Sequence, residues 1–350
     1  MCEPRTGSCV AHRRLVPCFL VDIAGLVPGA SEGRGRGNAF LADLANCNAL
    51  IQVVDAAGST DLEGNPQGLN QPVEVARSRV NEEIEFLGLE LDAWIAGLLG
   101  DGWTRGVRRV QAEGEKGLVS FIHERLTGLG ATLSSVSLAY EAFRSEHADL
   151  GSPWDWTEAI IANLAVHLRK ALFPIHIAAN KFDVAPEGVL QGVVANGCII
   201  PCMADVELGL RRASGADLIA YVPGSKDFEF RDASLLNEAQ KKALVHMKER
   251  LSSNQGTGVA TMLDTVLFDE LDHIVVYPVQ DEARWMDGDG KVLPDAFVVP
   301  SNIQAKALAY KVHTDLGEGF IRGVDGRTRR VVGADYELQD GDVLKIHAKS

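Results

Sequence analysis

Apolar residues change their period several times along this chain, and each change predicts a different kind of element. Leu15-Val16-Pro17-Cys18-Phe19-Leu20-Val21 and Ala49-Leu50-Ile51-Gln52-Val53-Val54 are short, nearly unbroken apolar runs. Such runs predict strands of a buried, parallel sheet. From Pro72 to about Leu164 the period becomes helical. Ile84, Leu87, Leu91, Trp94, Ile95 and Leu98 recur at threes and fours and share one face, and Leu118, Ile122 and Leu126 repeat the pattern. Ser152-Pro153-Trp154-Asp155-Trp156-Thr157 breaks the run, with Asp155 or Thr157 placed to cap a helix through Ile160, Ile161, Leu164 and Leu168. The four tryptophans of this region, Trp94, Trp103, Trp154 and Trp156, suit packing better than recognition.

Residues 174–222 return to an α/β pattern, and 235–272 are again helical, with Leu244, Met247, Leu251, Met262 and Val266 among the apolar positions. Short strands and turns follow. Ile274–Val279 reads as a strand, Asp287-Gly288 and Asp289-Gly290 as a turn, Asn302–Val312 as a short helix and Val343–Ile346 as the terminal strand. The expected division is therefore 1–71, 72–164, 165–273 and 274–350, an α/β protein with a helical insertion and a small β-rich C-terminal part.

Composition narrows the setting. With 350 residues, 46% of them hydrophobic, the chain can bury two or three cores. No apolar run approaches membrane-spanning length and residues 1–14 lack a signal-peptide core, so a soluble, cytoplasmic protein is expected. Six scattered cysteines include Cys2, Cys9 and Cys18, whose spacing fits no zinc pair; reduced thiols are expected. The net charge is −14, and residues 301–350 hold eight Lys/Arg against seven Asp/Glu, so the acidity lies in the first 300. That balance argues against indiscriminate nucleic-acid binding and against DNA as a partner.

Two motifs carry chemistry. Asn180-Lys181-Phe182-Asp183 ends the apolar run Ile175–Ala179. A carboxylate there can accept two hydrogen bonds from adjacent N–H donors, which guanine offers on one edge and adenine does not. Asn180 can meet the other edge of the ring and the Lys181 stem can lie against its face. Asp22-Ile23-Ala24-Gly25 ends the other run. In a nucleotide switch such a carboxylate holds Mg²⁺ through water, and the glycine N–H meets the terminal phosphate. Leu26 through Asn38 then carries Gly29, Gly33, Gly35 and Gly37, a loop able to take several backbone conformations. The plainer reading is a flexible surface loop.

With Phe40–Leu44 and Ala49–Ala56, these segments resemble the archaeal branch of the YchF subfamily of Obg-like GTPases, and the resemblance runs to the C-terminus. It implies a P-loop nucleotide-binding (G) domain, an inserted helical arm and a C-terminal TGS domain of β-grasp fold. It also implies GTP or GDP with Mg²⁺ as ligand, GTP hydrolysis as the family activity, and the ribosome or ribosomal RNA as partner. Arg322, Arg327, Arg329 and Arg330 would then meet RNA phosphates, although they equally suit a solvated hairpin edge. Aligned with the third base-site loop, Met203 and Ala204 supply a backbone N–H but no hydroxyl. Leu26 stands where Ras-like GTPases place a water-orienting glutamine.

One expected part is missing. G-x-x-x-x-G-K-[ST] occurs nowhere: the only Gly-Lys pair is Gly290-Lys291, followed by Val292 and preceded at the first glycine position by Trp285. The first strand, phosphate loop, first helix and most of the first switch are thus expected to be absent, through a start assigned too far downstream, or because the chain is a true fragment or a decayed copy. Nucleotide binding should be impaired, and two strand edges exposed. The alternative function is a non-catalytic RNA- or ribosome-binding module built from the arm and the TGS domain.

Overall fold

The computed structural model describes residues 2–23, 44, 47–231 and 236–349. Its contacts divide the chain into two units, Val21–Met262 and a second made of Met1–Leu20 with Leu263–Ser350. The first twenty residues thus belong with the end of the chain. Their hairpin pairs β1 (Ser8–Val10) with β2 (Arg13–Leu15), turning through positive φ at Ala11 and His12.

This corrects the expectation of a buried strand over 15–21. Only Leu15 of that run lies in a strand, while Phe19 is 95% and Leu20 64% exposed. An apolar run becomes a strand only where a neighbour satisfies its N–H and C=O groups. Beyond Leu15 the described residues offer none.

In the Val21–Met262 unit a parallel sheet runs β3 (Leu50–Asp55), β4 (Ile175–Asn180), β5 (Ile199–Pro201). The fully buried Ile177 and Ala179 explain the unbroken apolar run of β4, which has a strand on each side. The other edge of β3 has no partner among the described residues, and its Val53 is 64% exposed.

Between β3 and β4 the chain builds the helical layer: Val73–Gly100, Trp103–Arg109, Gly114–Leu126, Leu133–Glu146 and Glu158–Leu172. The predicted face of the first helix is present: Leu91 and Ile95 are fully buried, with Ile84, Leu87, Trp94 and Leu98 packed beside them. Thr132 and Ser135 form a capping box at the start of the fourth. Thr157 occupies the N-cap position of the fifth but makes no side-chain cap bond. Trp103 and Trp156 stack with ring centroids 5.7 Å apart inside the same core. Arg169 pairs with Asp92 at 2.7 Å, both largely buried, and ties the last helix to the first.

After β5 come a helix over Ala204–Gly215, the short pair β6 (Ile219–Ala220) and β7 (Glu229–Phe230), and a helix over Glu238–Asn254 capped by Asn237 and Gln240. Met203, Leu210, Tyr221, Phe228 and Leu251 form a second core there. Phe182 packs against both cores, so the base loop sits at their junction.

The other unit holds a five-stranded sheet in the order β11, β10, β12, β8, β9, where β8 is His273–Val279, β9 Phe297–Pro300, β10 Phe320–Asp325, β11 Val331–Val332 and β12 Val343–Ala348. Only β12 and β8 pair parallel. The helix Ala305–Val312 places Ala305 and Leu308 in this core with Val276, Val299 and Leu344. Among the described residues no helix is long and apolar enough to cross a membrane.

Candidate functional site

The C-terminal ends of β3, β4 and β5 converge on one loop cluster, the usual place for a ligand in an open parallel sheet. Asn180 is the last residue of β4. Its Oδ1 accepts the backbone N–H of Ala204 at 3.0 Å, at the start of the Ala204–Gly215 helix. Two residues expected to surround a base are thereby held together. Lys181 follows with φ +57°, a left-handed turn that ends the strand and starts a short 3₁₀ turn over Phe182–Val184. Asp183 lies in that turn, half-buried, its carboxylate making no hydrogen bond among the described residues.

The Lys181 ammonium is committed elsewhere. It donates to Asp55 Oδ2 and to Ser59 Oγ, each at 2.8 Å. Asp55 ends β3 and is buried. It also accepts from Ala57 N and Ser59 N at 3.0 Å, Ser59 Oγ at 2.6 Å and Thr60 Oγ1 at 2.9 Å. Burial alone would raise its carboxyl, but the bonds from Lys181, Ser59 and Thr60 outweigh that and hold it below the ordinary carboxylate value. The turn relies on Gly58 (φ +58°), where a Cβ would come within 2.7 Å of Ala76 Cα. Behind it, Glu83 of the first helix accepts the Asp55 N–H at 3.0 Å. Burial, and then the nearby Asp55 charge, push the Glu83 carboxyl up to about 6.

The third loop is anchored from beneath. Met203 is buried and donates its N–H to Thr257 O at 2.8 Å, so its side chain serves the second core rather than a ligand. The Thr257 hydroxyl donates to buried Glu207 at 2.6 Å, joined there by Tyr221 at 2.7 Å and Arg211 at 2.6 Å. Burial, with Glu207 beside it, raises the Tyr221 hydroxyl well above its ordinary value. Gly258 has φ +78°, and a Cβ there would lie 1.8 Å from Pro201 O. A residue with a side chain does not fit.

Asn180, Lys181, Asp183, Met203 and Ala204 are thus brought to one place. Asp22 is exposed and outside any regular element. Gly25, Leu26, Gly29, Gly33, Gly35 and Gly37 lie outside the described residues. In the other unit Arg322, Arg327, Arg329 and Arg330 are exposed, on β10 and the turn joining it to β11. Cys2, Cys9 and Cys18 form no three-ligand cluster among the described residues. Asp55, Ser59, Thr60 and Glu83 carry no role in the sequence reading. Their one local signal is an acidic residue closing an apolar strand run.

Comparison with known proteins bears on this arrangement. Residues 178–281 match the family described as "Obg-like GTPase YGR210-like, G4 motif-containing domain", and residues 289–348 match the TGS domain. A GTP-binding protein of Methanocaldococcus jannaschii is 42% identical over 99% of this chain and 84% of its own length. One of Schizosaccharomyces pombe is 28% identical over 98% and 81%. A crystal structure of a GTP-binding protein from Pyrococcus horikoshii OT3 superposes with a TM-score of 0.67 at 34% identity, covering all of this chain and 89% of that one.

Proposed function

The chain belongs to the Obg-like GTP-binding proteins of the YchF type, and on that premise we propose that it reads guanine nucleotides through the loop at the end of β4. The observation that carries the reading is the pairing of Asn180 Oδ1 with Ala204 N, three residues before an Asp183 carboxylate that bonds to none of the described residues. Asp183 would accept the two adjacent N–H donors of guanine, charge-assisted and therefore strong. Asn180, already fixed, would meet the other edge of the ring. Asp55 and Ser59 hold the Lys181 head aside, which leaves its stem free to lie along the base plane.

The phosphate end differs. The sequence holds no G-x-x-x-x-G-K-[ST] segment, and Asp22 would hold Mg²⁺ through water. No hydrolytic step is assigned to these residues. Phosphate contacts supply much of a nucleotide's affinity, and the reading proposed here concerns the base end alone. The proposed setting is the ribosome in the cytoplasm, with the exposed arginines of the TGS domain against RNA phosphates. A second reading, a non-catalytic ribosome-binding module, draws on the exposed Arg322, Arg327, Arg329 and Arg330. It requires co-sedimentation with ribosomes that nucleotide leaves unchanged.

Calorimetry tests the base reading in a version carrying a G-x-x-x-x-G-K-[ST] segment in front. GDP should bind more tightly than ADP by on the order of a hundredfold, from two charge-assisted bonds. Asp183→Asn should move that preference towards xanthosine diphosphate. Equal affinity for GDP and ADP would remove Asp183 from the role.

A further inference from the structure

Apart from the base loop, the helical layer gathers a second set of polar groups. Glu146, His147 and His167 bring three ligand atoms within 4.8 Å of one another. Glu146 ends the Leu133–Glu146 helix and His147 is its C-cap, while His167 projects from the Glu158–Leu172 helix packed against it. His167 is buried, and its Nε2 lies 3.4 Å from Glu146 Oε2.

The rings are oriented. His147 Nδ1 sits 3.0 Å from the Phe143 carbonyl, a contact that takes the ring proton and leaves the Nε2 lone pair for an acceptor role. A backbone carbonyl behind the non-ligating nitrogen is the usual support for a metal-bound histidine. The Phe143 ring stacks on His147 at 4.8 Å and meets His167 edge-on at 5.7 Å, so both imidazoles are fixed by packing. The outward carbonyls of the helix C-terminus add partial negative charge where a cation would sit. Asn163 Nδ2 lies 3.2 Å from His147 Nε2. Its amide is exposed and can rotate away, turning its oxygen towards a metal-bound water.

We propose that Glu146, His147 and His167 form a binding site for a divalent transition-metal ion of the zinc type, clamping the two helices of the arm together. Two imidazoles and one carboxylate favour zinc, nickel or copper over magnesium or calcium, which prefer oxygen alone. The 3.4 Å between Glu146 Oε2 and His167 Nε2 is a separation that a tetrahedral zinc with bonds of about 2.0–2.2 Å spans.

The test is a zinc titration of the full chain against a chromophoric chelator, without nucleotide and with thiols alkylated, so that cysteine binding does not contribute. One equivalent should bind. Glu146→Gln, at an exposed position, and His147→Gln, at a half-buried one, should each weaken it at least about tenfold, with far-UV circular dichroism unchanged. Asn163→Ala should retain or tighten it. The proposal is overturned if no saturable equivalent binds, or if the affinity ignores both the Glu146 and the His147 substitution. Because no nucleotide is present, neither result depends on the base-reading loop.

Discussion

At the scale of single residues, the pair Asp55 and Glu83 governs the back of the base loop. Their carboxyl groups move in opposite directions: Asp55 is held down by its donors, while burial pushes Glu83 up to about 6 from an ordinary 4.5. The folded protein therefore keeps a proton on Glu83 that the unfolded chain has already lost, between pH 4.5 and about 6. Stability from this group is complete below pH 4.5 and is lost as pH rises through about 6. Asp55 acts in the opposite sense and only below its ordinary 3.8, outside that window. Glu83→Gln should flatten the fall in the urea midpoint across this range. A slope that persists in the variant would exclude Glu83 as its source. Asn180–Asp183 was legible in the sequence because three of four consecutive residues carry the proposed chemistry. Asp55 was not, since its partners Glu83 and Lys181 lie 28 and 126 positions away.

Elements obey two further constraints, packing and pairing. The connection after the Glu238–Asn254 helix passes so close to β5 that Gly258 admits no side chain. Gly258→Ala adds left-handed strain to a collision with Pro201 O, and should cost about 3 kcal/mol or more. It should also loosen Met203, whose N–H is held by the adjacent Thr257. Urea denaturation measures the cost, and a loss below about 1 kcal/mol would mean that the backbones are further apart than described. The helical faces, β4 and the terminal strand were readable from period alone, because each element's burial follows its own sequence. The run at 15–21 had an equally good pattern, yet it forms no buried strand. A strand is completed by its neighbour, and the composition of one segment does not say whether that neighbour exists.

For the whole molecule, the instructive feature is which residues share a unit. Residues 3–5 lie along 292–294, with Glu3 N bonded to Val292 O at 2.8 Å and Arg5 N to Pro294 O at 2.9 Å. Arg5 also pairs with Asp287 at 2.5 Å and Asp295 at 2.7 Å. Arg5→Ala should speed hydrogen exchange several-fold at 287–295 and in the β1–β2 hairpin while leaving β3 and β4 unchanged. Equal exchange throughout would mean that the arginine adds nothing to this attachment. The four-part division read from the sequence placed 1–71 in one domain, whereas contacts join Met1–Leu20 to Leu263–Ser350. Local pattern carries no information about a partner 282 positions downstream. Manufacture of the polypeptide inherits the same separation. The Ser8–Leu15 hairpin is translated before the Val21–Met262 unit and its dock after it, so the body they share can close only once that unit has been made.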